Sequence, residues 1–128
     1  LSVQQIQEME QAGIEIGSHT RSHPNLTKLA ASALEQEVGQ SRRGVERLAG
    51  RPIDYFAYPG GFYNLEVLEK TAQSGYAGAF TVLPGVNRPD KDNPYLLRRI
   101  PVFSYTDFDA ILERLEATED ASLLDYLD

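Results

Sequence analysis

The sequence predicts an α/β domain built around a mainly parallel sheet. Segments with helical spacing alternate with short apolar runs about four times along the 128 residues, and this alternation is typical of β–α–β units. Gly and Pro residues punctuate the chain between these segments, as expected where it turns from one element to the next. Four such units are too few to close an eight-stranded barrel. Either the sheet is open, or the chain is a segment of a barrel whose first strands lie upstream.

Four helices are expected, each with a recognisable start. Two begin at capping-box spacings, in which a Ser and a Gln or Glu three residues later bond each other's backbone N–H groups. Asn caps the third, and Thr or Asp caps the last. Glycine in the left-handed conformation would end the first three. In chain order the signals are Ser2 with Gln5 and Gly13, Ser32 with Glu35 and Gly50, Asn64 with Gly75, and Thr106 or Asp107 for a helix to about Leu115.

Four strands are expected between these helices. Alternation of apolar and polar residues marks the first, and apolar and aromatic residues mark the others. Pro101 favours an edge position or a bulge in the fourth strand, because proline cannot donate to a ladder. The expected strands cover residues 14–17, 53–56, 76–82 and 96–103.

The composition excludes several classes of protein. The 19 acidic and 12 basic residues give a net charge of −7, whereas a nucleic-acid-binding surface requires clusters of Lys and Arg. There is no cysteine, which excludes thiol catalysis, disulfides and Cys-rich zinc sites in this chain. No apolar run approaches the ~20 residues of a membrane span. Any histidine chemistry must use His19 or His23, since these are the only two histidines.

The most informative segment is the polar stretch at residues 13–24, Gly-Ile-Glu-Ile-Gly-Ser-His-Thr-Arg-Ser-His-Pro. If the chain turned helically there, the Cβ atoms of His19 and His23 would lie roughly 5–6 Å apart on one face. Two imidazoles at that spacing can reach one cation at about 2.0–2.1 Å. The pair follows a predicted strand, where α/β folds place their sites. The alternative is a pair of surface or hydrogen-bonded histidines.

A second informative segment is Phe-Ala-Tyr-Pro-Gly-Gly at residues 56–61. A predicted strand ends there, so backbone N–H groups of the turn would lie at the carboxyl edge of the sheet. Such groups can stabilise negative charge that develops on a substrate oxygen. The alternative is an ordinary strand-to-helix turn.

Together the two segments resemble the polysaccharide deacetylases, the NodB-homology domains of carbohydrate esterase family four. His-Thr-Arg-Ser-His-Pro at 19–24 is similar to the metal-binding motif of that family, and Phe-Ala-Tyr-Pro-Gly-Gly is similar to the partner motif of its surface-polysaccharide branch. The resemblance covers residues 3–115 as one domain. Residues 116–128 then form an acidic C-terminal tail, in which Leu123, Leu124 and Leu127 can make one docking turn.

The resemblance implies a distorted (β/α) barrel, here a partial one that lacks its N-terminal strands. It also implies a hydrolase that acts on carbon–nitrogen bonds other than peptide bonds, removing N-acetyl groups from amino sugars of a polysaccharide. His19 and His23 match the two histidine ligands of a divalent metal, with zinc the first expectation, and the backbone N–H of Gly60 matches the oxyanion donor. Tyr58 and Tyr63 would stack on sugar rings. The family relationship further implies a location in the cell envelope or outside the cell.

The chain departs from the family pattern at the base and the acid. The motif that supplies the catalytic base and the third metal ligand is a Thr-Phe-Asp-Asp-Gly run, but nothing before His19 matches it and the first Asp is Asp54. No histidine follows His23 to act as the acid, and Ala57 occupies the position of an Arg. These residues alone are therefore expected to show little or no activity. Either they form part of a deacetylase, or they form a non-catalytic carbohydrate-binding or structural module.

A last expectation concerns assembly. An incomplete barrel has an unpaired sheet edge, and open edges with apolar faces recruit partners. The sequence therefore predicts self-association, most simply as a homodimer. The alternative is that the acidic tail folds back, with Leu123, Leu124 and Leu127 covering the gap.

Overall fold

A computed structural model describes residues 1–117. The chain folds into five α-helices and three strands over this range, with a π-helical turn and short 3-10 turns between them. In order, these are α1 (Val3–Gln11), a 3-10 turn (Leu26–Lys28), α2 (Ala31–Glu35), a π-helical turn (Gln36–Gln40), α3 (Ser41–Ala49), β1 (Tyr55–Ala57), a 3-10 turn (Pro59–Gly61), α4 (Leu65–Gln73), β2 (Gly78–Pro84), a 3-10 turn (Pro94–Leu96), β3 (Leu97–Arg99) and α5 (Phe108–Ala117).

The three strands form one parallel sheet in the order β1-β2-β3. Phe56 lies opposite Ala79 in the first pair, and Phe80 lies opposite Leu97 in the second. Helix α4 connects β1 to β2, as a crossover between parallel strands requires. The predicted α/β fold with a mainly parallel sheet is confirmed, and the described residues form a partial sheet rather than a closed barrel.

The first predicted strand, at residues 14–17, is wrong. The chain pairs with β1 only at Ser18, the residue after this segment. Ser18 N–H donates to the Tyr55 carbonyl at 2.9 Å, and the Ser18 carbonyl accepts from Ala57 N–H at 2.9 Å. The N–H of Ile16 instead donates to the Glu10 carboxylate at 3.1 Å. A side chain from α1 therefore takes a donor that a ladder would need, and the extended segment forms a single bridge.

The other strands are present with shifted ends. β1 and β2 each begin two residues later than expected. β3 keeps only three residues of the predicted 96–103, so Pro101 lies beyond it. Proline cannot donate to a ladder, and a register shift between Phe80 and Pro84 has already disturbed the pairing.

Most helix ends follow the local signals. Gln5 N–H donates to the Ser2 hydroxyl at 3.1 Å and Ser2 N–H donates to the Gln5 side chain at 2.8 Å, which is the predicted capping box. Asn64 caps α4 through Val67 N–H at 2.9 Å. At α5 the Asp107 side chain accepts from an N–H of the first turn at 3.1 Å. The predicted glycine stops, Gly13, Gly50 and Gly75, all have positive φ.

The second predicted capping box is wrong. The N-cap is Ala30, two residues before the predicted Ser32, and it makes no side-chain bond. Glu35 binds Arg43 at 2.9 Å and Lys70 at 3.4 Å. Two cations from later in the chain thus occupy the carboxylate that the capping box would have used.

Helix α2, the π-helical turn and α3 follow one another without a break, and we call them together the long helix. The core lies where the long helix, β1, α4 and β2 meet. Its buried apolar residues are Leu26, Leu34, Val38, Ala49, Ile53, Phe56, Tyr58, Val67, Tyr76 and Ala79. Burial of this apolar surface is the main favourable contribution to folding. The core holds β1 and β2 in place, and the turn that follows β1 packs on it through buried Pro59.

Over residues 1–117, no helix has both the length and the apolar character needed to cross a membrane. Helix α5 extends to Ala117, two residues past the predicted domain end at 115. The predicted docking turn of Leu123, Leu124 and Leu127 lies outside the described residues. The homodimer stays a prediction.

Candidate functional site

A polar turn carries both histidines and begins at the end of the bridged segment. We call residues 18–23 the histidine turn. Its first residue pairs with β1, and His19 Nδ1 lies 2.7 Å from the carbonyl oxygen of Ala57, the last residue of β1. A carbonyl can only accept, so Nδ1 carries the proton in this bond. In the neutral imidazole, Nε2 of His19 then keeps its lone pair, the arrangement found in many metal-binding histidines.

The two imidazoles lie side by side. The ring centroids of His19 and His23 are 4.9 Å apart, and the ring planes are 70° from parallel. A cation held at about 2.0–2.1 Å by one nitrogen of each ring, with tetrahedral angles, places the centroids about 5 Å apart. The separation of the two rings therefore matches two ligands of one cation.

The histidine turn is not helical, so the expected route to this pairing is wrong. Thr20 has φ = 67° and His23 has φ = 58°, both in the left-handed region. A non-glycine residue held there costs of order 1–3 kcal/mol, and a β-branched threonine is a marked exception. His23 N–H donates to the Thr20 hydroxyl at 3.0 Å. Two left-handed residues joined by this bond bring the rings together.

A carboxylate from the π-helical turn binds the middle of the histidine turn. The N–H groups of Arg21 and Ser22 donate to Glu37 Oε2 at 2.8 and 2.9 Å, and the Ser22 hydroxyl donates to Oε1. Burial by itself would raise the pKa of Glu37, but the Ser22 hydroxyl and the two N–H groups together hold this pKa below its usual value. Sequence reasoning missed Glu37, because its partners lie 15 and 16 residues away and no local pattern marks them.

A second contact joins the start of the histidine turn to the same helix. The hydroxyl oxygens of Ser18 and Ser41 lie 3.0 Å apart. The Ser41 hydroxyl also donates to the Val38 carbonyl at 3.0 Å, and the Tyr76 hydroxyl donates to that carbonyl at 3.0 Å. Burial raises the pKa of Tyr76. This buried network links the residue before His19 to the core.

The Pro59–Gly61 segment, which we call the glycine turn, follows the strand that binds His19. Tyr58 N–H donates to the Phe80 carbonyl at 3.1 Å, and Gly61 N–H donates back to the Tyr58 carbonyl at 2.9 Å. Gly60 is exposed and has φ = 62°. The predicted oxyanion donor thus lies three residues after Ala57, the residue that orients His19.

The two tyrosines expected to stack on sugar rings lie in different environments. The Tyr58 side chain is 2% exposed, its hydroxyl donates to the Tyr95 carbonyl at 2.9 Å, and burial raises its pKa to about 12. Tyr58 is therefore a core residue, which corrects the expectation that its ring meets a sugar. Tyr63 is 37% exposed and packs its ring 5.7 Å from that of Tyr58. Of these two tyrosines, only Tyr63 has a surface that a ligand could reach.

A cleft opens beside His19. Its volume is about 580 Å³, and Ser18, Ala57 and Phe80 contribute to its walls. This volume falls within the usual range of small-ligand sites, about 300–1,000 Å³.

The donors present account for part of a metal site. His19 and His23 can supply two nitrogen ligands, whereas catalytic zinc sites have three protein ligands. Within residues 1–117 no group of three or more His, Cys, Asp or Glu side chains is arranged to hold a metal ion. The two histidines therefore fit a cation only together with donors from outside this set.

Comparison with known proteins agrees with the motifs. The family model for polysaccharide deacetylases matches residues 2–79, more than half of the chain. Over 119 residues the chain is 31% identical to YxkH of Bacillus subtilis, which is described as a candidate polysaccharide deacetylase. The match covers 91% of this chain and 42% of YxkH.

Solved structures show the same fold. The chain is similar to the Streptococcus pyogenes deacetylase PplD, solved in complex with acetate, with a TM-score of 0.81, 25% identity, and coverage of 88% of this chain and 50% of that one. It is also similar to a polysaccharide deacetylase from Bacillus cereus, with a TM-score of 0.76, 28% identity, and coverage of 88% and 36%. The chain thus spans half or less of the length of these relatives. The match to the family model, the shared fold and the two motifs together show that this chain belongs to the polysaccharide deacetylase family.

Proposed function

We propose that this chain provides the histidine ligands and the oxyanion turn of a metal-dependent deacetylase that removes N-acetyl groups from polysaccharide amino sugars. One observation carries the proposal: the ring centroids of His19 and His23 lie 4.9 Å apart, and Nδ1 of His19 is held by the Ala57 carbonyl. Because Nδ1 binds the Ala57 carbonyl, the lone pair on Nε2 of His19 lies on the other side of the ring, where it can bind a cation. Membership of the family supports the substrate class.

Each of the site residues would have a separate role. His19 and His23 would hold a divalent cation, with zinc the first choice for imidazole ligands. Such a cation supplies Lewis-acid polarisation of an acetamide carbonyl and lowers the pKa of water. The backbone N–H of Gly60 would donate to the oxygen on which negative charge develops. The exposed ring of Tyr63 would contact the sugar.

These residues by themselves are expected to hydrolyse N-acetyl groups slowly. The positions that supply the base, the acid and the third ligand in the family have no counterpart in the sequence, since the first Asp is Asp54 and no histidine follows His23. A general base contributes typically 10²–10⁴ in rate. The same observation supports a second candidate function, a non-catalytic carbohydrate-binding or structural module.

Zinc titration by calorimetry tests the metal site. We expect the 128-residue chain to bind zinc weakly, through its two histidines and water, because the third protein ligand is missing. His19→Ala should weaken binding by more than about a hundredfold, because losing even a residue that orients a ligand costs 10–100-fold. Gln73→Ala is the control, since Gln73 is an exposed neutral residue at the C-terminal end of α4. Equal zinc affinity in the wild type and His19→Ala would contradict the proposal.

Acetate release separates the two candidate functions. With N-acetylglucosamine oligomers and added zinc or cobalt, we expect turnover near background from these residues. Turnover that His19→Ala abolishes would show that the chain has a base we did not identify. Saturable oligosaccharide binding that neither metal nor His19→Ala alters would favour the non-catalytic module.

A further inference from the structure

We propose that Glu37 is a positioning residue of the histidine turn: its carboxylate, presented by the π-helical turn, fixes the backbone between Thr20 and His23 and so sets the separation of the two imidazoles. The role of the imidazoles as metal ligands rests on the proposed function. The positioning of the turn does not depend on it.

The histidine turn needs an external constraint. Thr20 and His23 both have positive φ, a conformation that side-chain-bearing residues keep only where their surroundings hold them in it. The bond from His23 N–H to the Thr20 hydroxyl joins the two ends of this strained stretch. It does not secure the two residues between them.

Glu37 binds those two residues. Its Oε2 accepts both backbone N–H groups, from Arg21 at 2.8 Å and from Ser22 at 2.9 Å, and its Oε1 accepts the Ser22 hydroxyl. Hydrogen bonds to a carboxylate are about twice as strong as those between neutral groups. One side chain therefore provides three charge-assisted bonds at the centre of the strained stretch.

The position of Glu37 depends on the π-helical turn, Gln36–Gln40. Single π turns inside α-helices occur often at functional sites, where they change the direction of the side chains they carry. Ser41, the residue after this turn, contacts Ser18 at 3.0 Å. The same part of the helix therefore binds the histidine turn before His19 and again between Thr20 and His23.

NMR spectroscopy and zinc titration of the 128-residue chain test this proposal. In Glu37→Ala we expect the amide protons of Arg21 and Ser22 to shift upfield and to exchange about tenfold faster, and the nuclear Overhauser effects between the two imidazoles to weaken. Zinc affinity should fall by about 10–100-fold, the usual effect of removing a residue that orients a ligand. Glu37→Gln keeps one oxygen that can accept both N–H groups, so it should stay within about threefold of wild type.

Glu35→Ala is the matched control. It removes the same charge from the same helix, but the partners of Glu35 are Arg43 and Lys70, so the amide signals of the histidine turn should not change. Thermal unfolding of each variant shows whether it is folded. A folded Glu37→Ala protein with unchanged amide shifts and imidazole contacts would overturn the proposal, as would unchanged zinc affinity in a chain that binds zinc. If the wild type binds no zinc but Glu37→Ala loosens the turn, the metal site fails and the positioning role stands.

Discussion

The histidine turn and the glycine turn both lie next to β1, but different interactions hold them. The histidine turn is largely exposed. Glu37 binds its backbone N–H groups, and Ser41 contacts the hydroxyl of its first residue. The glycine turn follows buried Tyr58, which packs against Phe56 with ring centroids 5.5 Å apart. One turn depends on a few hydrogen bonds, and the other depends on the apolar core.

This difference separates stability from ligand binding. Substitutions of core residues that support the glycine turn should lower the free energy of unfolding strongly, because they remove buried contacts. Changes around the histidine turn should cost less stability, because they remove bonds close to solvent. They should affect cation binding more, since they alter the positions of the imidazoles.

The largest expected effect follows Tyr58→Ala. This change removes a 2% exposed ring and leaves the Tyr95 carbonyl without its donor, so the free energy of unfolding should fall by about 3–5 kcal/mol. Tyr58→Phe keeps the ring and should lose about 1 kcal/mol. Urea unfolding of both variants measures the two values. A loss below about 1 kcal/mol in Tyr58→Ala would show that the glycine turn does not depend on the core.

The next largest effect is expected for Gly61→Ala. A Cβ at this position would clash with Val82 Cγ2, and Gly61 has φ = 72°, so the free energy of unfolding should fall by about 2–3 kcal/mol. Gly44→Ala is the control, because the nearest atom to its added Cβ is the end of the Arg47 side chain at 4.0 Å. This helical change should stabilise the protein by about 0.5–1 kcal/mol. Thermal unfolding compares the two variants, and equal melting temperatures would contradict the prediction.

A smaller loss of stability is expected for Thr20→Ala. It removes the acceptor of His23 N–H, which should lower the free energy of unfolding by about 0.5–1.5 kcal/mol. Thr20→Ser keeps the hydroxyl and should stay close to wild type. Chemical unfolding gives the stabilities, and calorimetry shows whether zinc affinity falls in Thr20→Ala alone. Identical behaviour of the two variants would argue that the bond does not shape the turn.

The smallest expected effect is a pH dependence from Glu37. Its pKa in the folded protein lies below its usual value of 4.5, so its contribution to stability is fully present above that value and is lost as pH falls through the folded pKa. The difference in unfolding free energy between wild type and Glu37→Gln should therefore be constant from pH 7 to about pH 5.5 and should shrink below pH 4.5. Urea midpoints at several pH values measure this difference. A difference that grows on acidification would have the wrong sign.

The features that could be predicted from sequence are local or repetitive. The capping box of Ser2 and Gln5, the Asn64 cap and the glycine stops depend on groups within about four residues of one another, so their chemistry is visible in the sequence. The alternation of elements predicts the parallel sheet. The spacing of His19 and His23, with the polar residues around them, was enough to identify the candidate site.

Other features depend on partners that are distant in sequence. Glu10 takes the N–H of Ile16, so the first predicted strand reduces to one bridge. Glu35 pairs with cations from two other segments, so the second capping box does not form. Tyr58 has the same residue type and nearly the same position as Tyr63, but only the packing of the core decides that the first is buried and the second exposed.

Sequence alone determined the family motifs, the alternating elements and the two histidines, because each is set by residue type and short-range spacing. Tertiary structure decided how the histidines meet. Their rings approach through two left-handed residues rather than a helical turn, and Glu37 holds that backbone from 15 and 16 residues away. A strained conformation is stable only when contacts from other elements outweigh its local cost, and those contacts exist only after the chain has folded.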